Sequence, residues 1–321
     1  MLSTLKYIKA FKKIGILGLN HRNALYTLRY NDRKRYPLVD DKLITKRLAQ
    51  QFGLQVPELF GVVSAPHEVR GIEKQLHDKK NFVVKPARGS GGNGILVIVG
   101  HYGEAYRKVN GEPVTEDDLR FQLNNILSGM YSLGGLPDRA VIEYCVQFDP
   151  VFRPVSYLGV PDVRIIVFLG IPVMAMVRLP TRTSGGRANL HQGAIGAGVD
   201  LATGTTLTAV FKNKIITHHP DTGVEIAGIQ IPGWEQIMAQ AASCYEMTGL
   251  GYLGVDMVID ESYGPMILEL NARPGLNIQI ANSNGLLNRL RIIEKNGASE
   301  LDAQRRCQFA MTAFGVQRGD D

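Results

Sequence analysis

The sequence predicts an α+β protein assembled from antiparallel hairpins, and three stretches carry that prediction. Gly254–Asp260 and Met266–Asn271 are alternating apolar runs rich in Val, Ile, Leu and Met, with the turn-like Glu261-Ser-Tyr-Gly-Pro265 between them. Runs of this kind on either side of a turn fold back as paired strands. Phe82–Lys85 and the β-branched Ile95–Val99 flank a glycine cluster in the same way, and the apolar run Ile165–Val177 is broken at Gly170 and Pro172. Segments with helical patterning, at about 40–51, 116–127 and 233–247, lie between the hairpins.

In chain order, Leu2–Leu19 sets Leu5, Ile8 and Phe11 among Lys6, Lys9, Lys12 and Lys13. Such a basic amphipathic helix docks its apolar side on the protein body or lies on a membrane surface. Asn20–Pro37, polar and rich in Arg and Tyr, connects it to a helix opening at Asp40-Asp-Lys42 and running to about Gln51. Asp40 or Asp41 serves as its N-cap, with Leu43, Leu48 and Phe52 on its apolar side. Val56-Pro-Glu-Leu begins a short strand, and a second helix is expected from about His67 to His77. Residues 101–137 read as an insertion, a polar stretch and then a helix from about Glu116 to Leu127. Ala140–Val146 returns as a strand, Asp162–Phe168 pairs with Val173–Leu179, and Phe211–Thr217 is a further short strand. A helix from Gly233 to Met247 leads into the last hairpin, and the tail beyond Asn296 is expected to carry no motif.

That last hairpin holds the first chemistry. Alternate residues of a strand share a face, so Glu269 and Asn271 point the same way. Folding about Tyr263 brings Asp256 opposite Glu269 or Leu270. Two carboxylates and an amide in an otherwise apolar segment suit a hard cation such as Mg²⁺ (or Mn²⁺), bound together with substrate phosphates. A polar sheet edge with solvated acids is the plainer alternative.

The glycine cluster, Gly89-Ser90-Gly91-Gly92-Asn93-Gly94, contains the spacing G-x-G-x-x-G. Dinucleotide-binding use of that spacing needs a helix to follow, and here a strand follows. A glycine-rich hairpin can instead fold over phosphates, because glycine accepts positive φ and lets backbone N–H groups approach closely. Lys85, on the entering strand, would add a point charge; a mobile surface hairpin with a solvated lysine is the alternative. Asp162 and Arg164 share a strand face, and Arg178 ends the pairing strand. Thr181–Ala197, polar and Gly-rich with Arg187, Asn189 and His191, has the length and composition of a functional or disordered loop.

Composition narrows the classes. The 321 residues, 45% hydrophobic and 21% charged, suit one large soluble domain or two modest ones. A net charge of +6 favours anionic ligands. The basic residues are dispersed and form no recognised motif, so nucleic acid is not expected as a partner. Cys145, Cys244 and Cys307 have neither metal nor redox spacing, which fits inert thiols in a reducing cytoplasm. No signal peptide is read, and the longest apolar run is too short to span a bilayer. No Ser/His/Asp or Cys/His signature points to a covalent enzyme nucleophile.

The order of the motifs is specific: Lys42 heading a helix, Lys85 before a glycine hairpin, a strand with Glu143, Asp162-x-Arg164, Arg187-x-Asn-Leu-His191, Gly-x-Asp256, and Glu269-x-Asn271-x-x-Pro-Gly. Over roughly residues 38–290 it resembles the ATP-grasp carboxylate–amine ligases, and within them the RimK-like α-L-glutamate ligase branch. The resemblance implies an ATP-grasp domain over 38–300, with a nucleotide-clamping lobe at about 55–145 and a metal and substrate lobe at about 146–295. Residues 1–37 would stand in place of the α/β domain that usually precedes the grasp, and 301–321 would be a tail.

It also implies roles. Lys42 and Lys85 would contact the phosphates of ATP, with the loop of Gly89, Ser90, Gly91, Gly92 and Gly94 closing over them. Glu143, Tyr144 and Val146 would form the interlobe strand whose backbone meets adenine. Arg164 and Arg178 would steady the γ-phosphate and the acyl phosphate, and Asp256, Glu269 and Asn271 would hold one or two Mg²⁺. Arg187, Asn189 and His191, with Arg273, would face the carboxylate substrate. The expected reaction is ADP-forming amide synthesis on glutamate, another small acidic amino acid or an acidic peptide. The rivals are a nucleotide-binding scaffold without turnover and a ligase acting on a sugar-linked or cell-envelope acceptor.

Overall fold

The computed structural model describes residues 10–89, 91–103, 105–132, 134–296 and 301–316. Most of the expected N-terminal helix and Ser90 therefore lie outside the described residues; residues 10–13 are helical.

Two antiparallel sheets organise the chain. The first runs β1-β6-β2-β3-β4-β5, built from β1 (Leu59–Val63), β2 (Phe82–Pro86), β3 (Leu96–Tyr102), β4 (Ala105–Lys108), β5 (Pro113–Val114) and β6 (Ala140–Tyr144). The second runs β11-β10-β9-β8-β7-β12-β13. Its strands are β7 (Asp162–Phe168), β8 (Ile171–Leu179), β9 (Ile195–Val199), β10 (Thr206–Phe211), β11 (Lys214–Ile216), β12 (Tyr252–Asp260) and β13 (Gly264–Asn271).

All three expected hairpins form: β2 with β3, β7 with β8, and β12 with β13. The β7–β8 turn is Leu169-Gly170, both at positive φ (49° and 79°), the two-residue geometry that matches strand twist. Every residue of β12 is buried, as its nearly continuous apolar run requires.

Helix α1 (Lys42–Gln51) opens at Asp41, whose carboxylate accepts from the N–H groups of Leu43 (3.1 Å) and Ile44 (3.3 Å). Phe52, expected on the apolar side, is instead 49% exposed past the helix end. Helix α2 (Glu116–Leu127) starts in a reciprocal cap between Thr115 and Asp118 and packs Leu119, Leu123 and Ile126 on the first sheet. Helix α3 (Trp234–Thr248) covers β7, β8, β12 and β13. Beyond it come α4 (Leu286–Asn296) and α5 (Ala303–Phe314).

Several expectations are corrected. Residues 67–77 do not make one helix: Pro66–Val69 is a 3-10 turn and Ile72–Leu76 a short helix, divided at Gly71 (φ 89°). Residues 101–114 are no polar excursion, since Tyr106 of β4 stacks edge-on against Phe82 (5.2 Å) and Val114 of β5 is buried in the same core. Phe211–Thr217 is not one strand: Phe211 ends β10, and Lys212-Asn213 turn the chain into β11. The tail is also structural. On α5, Cys307, Ala310 and Phe314 are buried, and the helix packs on β8 and α3.

The segment 20–37, uncommitted by its composition, is helical turns including a π-helix at Arg22–Thr27. Its Asn31 amide donates to the carbonyls of Tyr252 (2.8 Å) and Ala272 (2.9 Å), tying β12 to the residue after β13.

The two sheets meet where the chain leaves β6. There the buried Asp260 carboxylate accepts from the N–H groups of Gln147 (2.9 Å), Ser262 (2.9 Å) and Tyr263 (3.0 Å). Among the described residues no helix is long and apolar enough to cross a membrane.

Candidate functional site

Strand register assembles a row of charge across β8, β7, β12 and β13. Arg178 pairs with Asp162, Arg164 with Asp256, and Asp256 with Glu269; Asn271 lies opposite Gly254. The resulting contacts are two-pronged. Arg164 grips Asp256 through Nε (2.6 Å) and Nη2 (2.5 Å), and Arg178 grips Asp162 through the same atoms (both 2.5 Å). Arg178 Nη2 also reaches Asp256 at 2.9 Å, and Asn271 Nδ2 stands 3.4 Å from the same oxygen. Arg164 and Arg178, expected at phosphate, are thus paired with acids here.

Two acids sharing one guanidinium are driven apart in acidity. Burial opposes ionisation of Asp256, but Arg164 and Arg178 together outweigh it and hold the carboxyl down at about 2. For Asp162, burial dominates the pull of Arg178, and the neighbouring Asp256 adds to it, so its carboxyl is pushed up to about 6. Burial works against the charge on Arg178, yet the two aspartates keep it firmly protonated.

A second charged group lies under the glycine hairpin. Lys85 (4% exposed) and Lys46 (5%) both pair with Glu143 (2%), Lys46 at 2.9 Å. Burial lowers the Lys46 ammonium's affinity for its proton despite Glu143. Burial also opposes the Glu143 charge, but Lys85 and Lys46 prevail and hold its carboxyl below the usual range. Sequence reasoning assigned Glu143 through its backbone and missed Lys46. The available signal was its spacing of four from Lys42, which puts the two on one side of α1. Lys42 itself donates to the Gly89 carbonyl (2.5 Å) and stands 3.7 Å from Glu269, linking the hairpin to the acid row.

In the hairpin, Gly91, Gly92 and Gly94 take φ of 66°, 79° and 74°, the left-handed region that glycine enters freely. At Gly94 a Cβ would lie 2.4 Å from the Tyr131 ring. Beside the crossing between the sheets, Val146, Val258 and Met266 form a small apolar cluster flanked by Tyr144 and Leu268.

A family model described as sugar-transfer associated ATP-grasp matches residues 21–295. The chain belongs to that family. Among solved structures, the chain is similar to the ATP-grasp ligase PsnB complexed with minimal precursor, at 14% identity, over 84% of this chain and 64% of that one, with a TM-score of 0.44. It is similar to the D-alanine–D-alanine ligase from Bacillus anthracis at 16% identity, over 88% and 69%, with a TM-score of 0.44. The D-cycloserine synthetase DcsG gives 15%, 81% and 69%, with a TM-score of 0.45. The chain thus spans less than two thirds of the length of PsnB. No curated protein matches it.

Of the remaining expected residues of this ATP-grasp chain, Arg187, Asn189 and His191 lie on the loop after β8. Arg187 Nη1 approaches Gln192 Oε1 (3.3 Å), and Gln192 Nε2 donates to the Gly91 carbonyl (3.3 Å), so this loop touches the glycine hairpin. The Asn189 side chain is used within the loop, accepting from the His191 N–H (3.0 Å), and His191 is exposed. Arg273 places its guanidinium over the Tyr36 ring, 5.4 Å from the centroid. The base of the loop is held by a residue the sequence did not single out: buried His219, whose Nε2 lies 3.1 Å from the Pro180 carbonyl while its Nδ1 accepts from the Asp221 N–H.

Among the described residues no three His, Cys, Asp or Glu side chains group as a metal site. The set Asp256, Glu269 and Asn271 is mixed, two acids and an amide, and its fit to a hard cation follows from its bonding. Among the described residues Asp256 Oδ1 accepts only from Arg164, and Glu269 is 32% exposed with Lys42 3.7 Å away. Oxygen acceptors therefore remain on the set, as Mg²⁺ or Mn²⁺ requires.

Proposed function

We propose that the protein is an ATP-dependent carboxylate–amine ligase that forms an amide through an acyl phosphate and releases ADP and phosphate. The observation that carries this reading is the row Arg178–Asp162–Arg164–Asp256–Glu269, joined to the glycine hairpin through Lys42. In this reading the nucleotide-clamping lobe spans about 55–145 and the metal and substrate lobe about 146–295.

Adenine would lie on the apolar cluster around Val146 and meet the backbone of Tyr144–Val146, while the ring of Tyr263 meets Tyr144 edge-on at 5.5 Å. Lys42 and Lys85 would bind phosphate oxygens, with the N–H groups of the hairpin closing over them. Asp256, Glu269 and Asn271 would hold Mg²⁺ or Mn²⁺, which supplies neutralising charge at the β- and γ-phosphates. The substrate carboxylate takes the γ-phosphoryl group, and Arg178 and Arg164 steady its oxygens. An amine then attacks the acyl carbon and phosphate departs. Phosphoryl transfer of this kind requires positioning and charge more than covalent help from the protein. In this reading the need for ATP favours a cytoplasmic reaction.

The acceptor we favour is sugar-linked or part of the cell envelope, in keeping with the sugar-transfer description of the family. Addition of glutamate, as in the RimK-like branch, draws on an excess of cations at the site, Arg164, Arg178, Arg187 and Arg273, beyond what one triphosphate with Mg²⁺ requires. Arg164 and Arg178 are engaged by aspartates and Arg273 by Tyr36, which weakens that argument. ADP release should depend on an added amine together with a carboxylate, and mass spectrometry should find the amide. ATP binding without such release would identify a nucleotide-binding scaffold instead.

A further inference from the structure

Apart from the acid row, a cavity of about 440 Å³ opens between the loop after β8, the tip of the β10–β11 hairpin and the segment following β13. Its size is that of a small-molecule site. The lining is chemically selective. Gln192, Asn213 and Asn277 bring amides, Lys212 brings an ammonium, and Val210 and Ile280 contribute an apolar wall. His191 adds an imidazole, and among the described residues no carboxylate and no Phe, Tyr or Trp ring lines it.

The tip is unusual in its backbone. Phe211 and Lys214 pair across a two-residue turn, and both turn residues, Lys212 (φ 48°) and Asn213 (φ 62°), are left-handed. Turns of this type favour Asn-Gly, so a lysine at the first position sits where the backbone resists it. Backbone of this sort clusters at ligand sites. The Lys212 ammonium rests over the Phe211 ring, 5.0 Å from its centroid, a weak contact that an anion can displace. The cavity also adjoins the proposed reaction centre, because Gln192 on its wall donates to Gly91 of the phosphate hairpin.

Resting on the ligase reading, we propose that this cavity binds a hydroxyl-rich acid, an acidic sugar unit, as the non-reacting part of the substrate, with Lys212 pairing with its anionic group. Amides both donate and accept, which suits hydroxyl groups. A lysine suits an anion, and a wall without carboxylates offers no opposite charge to an ammonium group. The apolar patch takes the C–H face of the ring.

The test is calorimetric titration of the full chain, without nucleotide, with D-glucuronate, D-glucose and L-glutamate. Glucuronate should bind at least about tenfold more tightly than glucose, the difference expected of one charged contact, and glutamate should not compete. Lys212→Met should bring glucuronate down to the level of glucose and leave glucose unchanged. Absence of glucuronate binding, unchanged affinity in Lys212→Met, or glutamate binding as tightly as glucuronate would overturn the proposal. If the variant does not fold, the three titrations of the unaltered chain decide alone. Binding needs no turnover, so a chain that grips glucuronate through Lys212 but releases no ADP refutes the ligase reading and leaves the site standing. Amine-dependent ADP release without selectivity for glucuronate does the reverse.

Discussion

Lys46 and Glu143 form an ion pair of 2.9 Å in which neither side chain is more than 5% exposed, and Lys85 occupies the other carboxylate oxygen. Breaking a buried pair from one side leaves an uncompensated charge, which costs about 3–5 kcal/mol. Glu143→Gln strands two ammonium groups and should lose at least that much in urea denaturation. Lys46→Met leaves Glu143 with Lys85 and should lose only about 1–3 kcal/mol. Equal losses would show that the carboxylate does not hold both lysines.

Glu269 offers the opposite case. Its contact with Lys42 is 3.7 Å long and the side chain is 32% exposed, so the pair contributes about 0–1 kcal/mol to stability. Glu269→Gln should melt within a few degrees of the unaltered chain, yet release ADP about a hundredfold more slowly. Undiminished turnover would remove Glu269 from the metal site.

Lys42 donates to the Gly89 carbonyl, and the phosphates of Mg-ATP would compete for that ammonium. Hydrogen exchange at residues 86–89 and 91–95 should slow on adding Mg-ATP as the hairpin settles on the phosphates. Identical exchange in both states would count against a closing loop.

The acid row has a pH signature. The carboxyl of Asp162 moves from the ordinary 3.8 to about 6 on folding, so its favourable contribution is complete below about pH 4 and lost as pH rises through 6. Asp256, held at about 2, keeps its contribution until far more acid pH. The melting temperature of the unaltered chain, taken relative to Asp162→Asn, should therefore climb as pH falls from 7 to 4.5. A flat difference would mean that Asp162 is not perturbed.

Much of this architecture is legible in the sequence because strand period and turn chemistry are local. Asp256 opposite Glu269 was one of two registers allowed by folding about Tyr263, and the irregularity between Asp256 and Met257 shows why counting alone left both open. What could not be read is what partners supply from far away. Lys46 looks like any helix-surface lysine until β6 brings Glu143 to it. Tyr106 and Val114 sit in polar surroundings along the chain, and only the edge of the first sheet makes them core. The arginines were read as cations for ligands, although acids opposite them on the neighbouring strands had a prior claim on two of them.

Asp260 fastens the crossing between the sheets through the N–H groups of Gln147, Ser262 and Tyr263. An anchor made to main chain is indifferent to which side chains pass through it. The half-buried Gln147 side chain could therefore be exchanged without touching that anchor, whereas Asp260 itself has no substitute that accepts three N–H groups as strongly. Were adenine to meet this strand as proposed, the side chains beside it and the joint beneath it would answer to different residues.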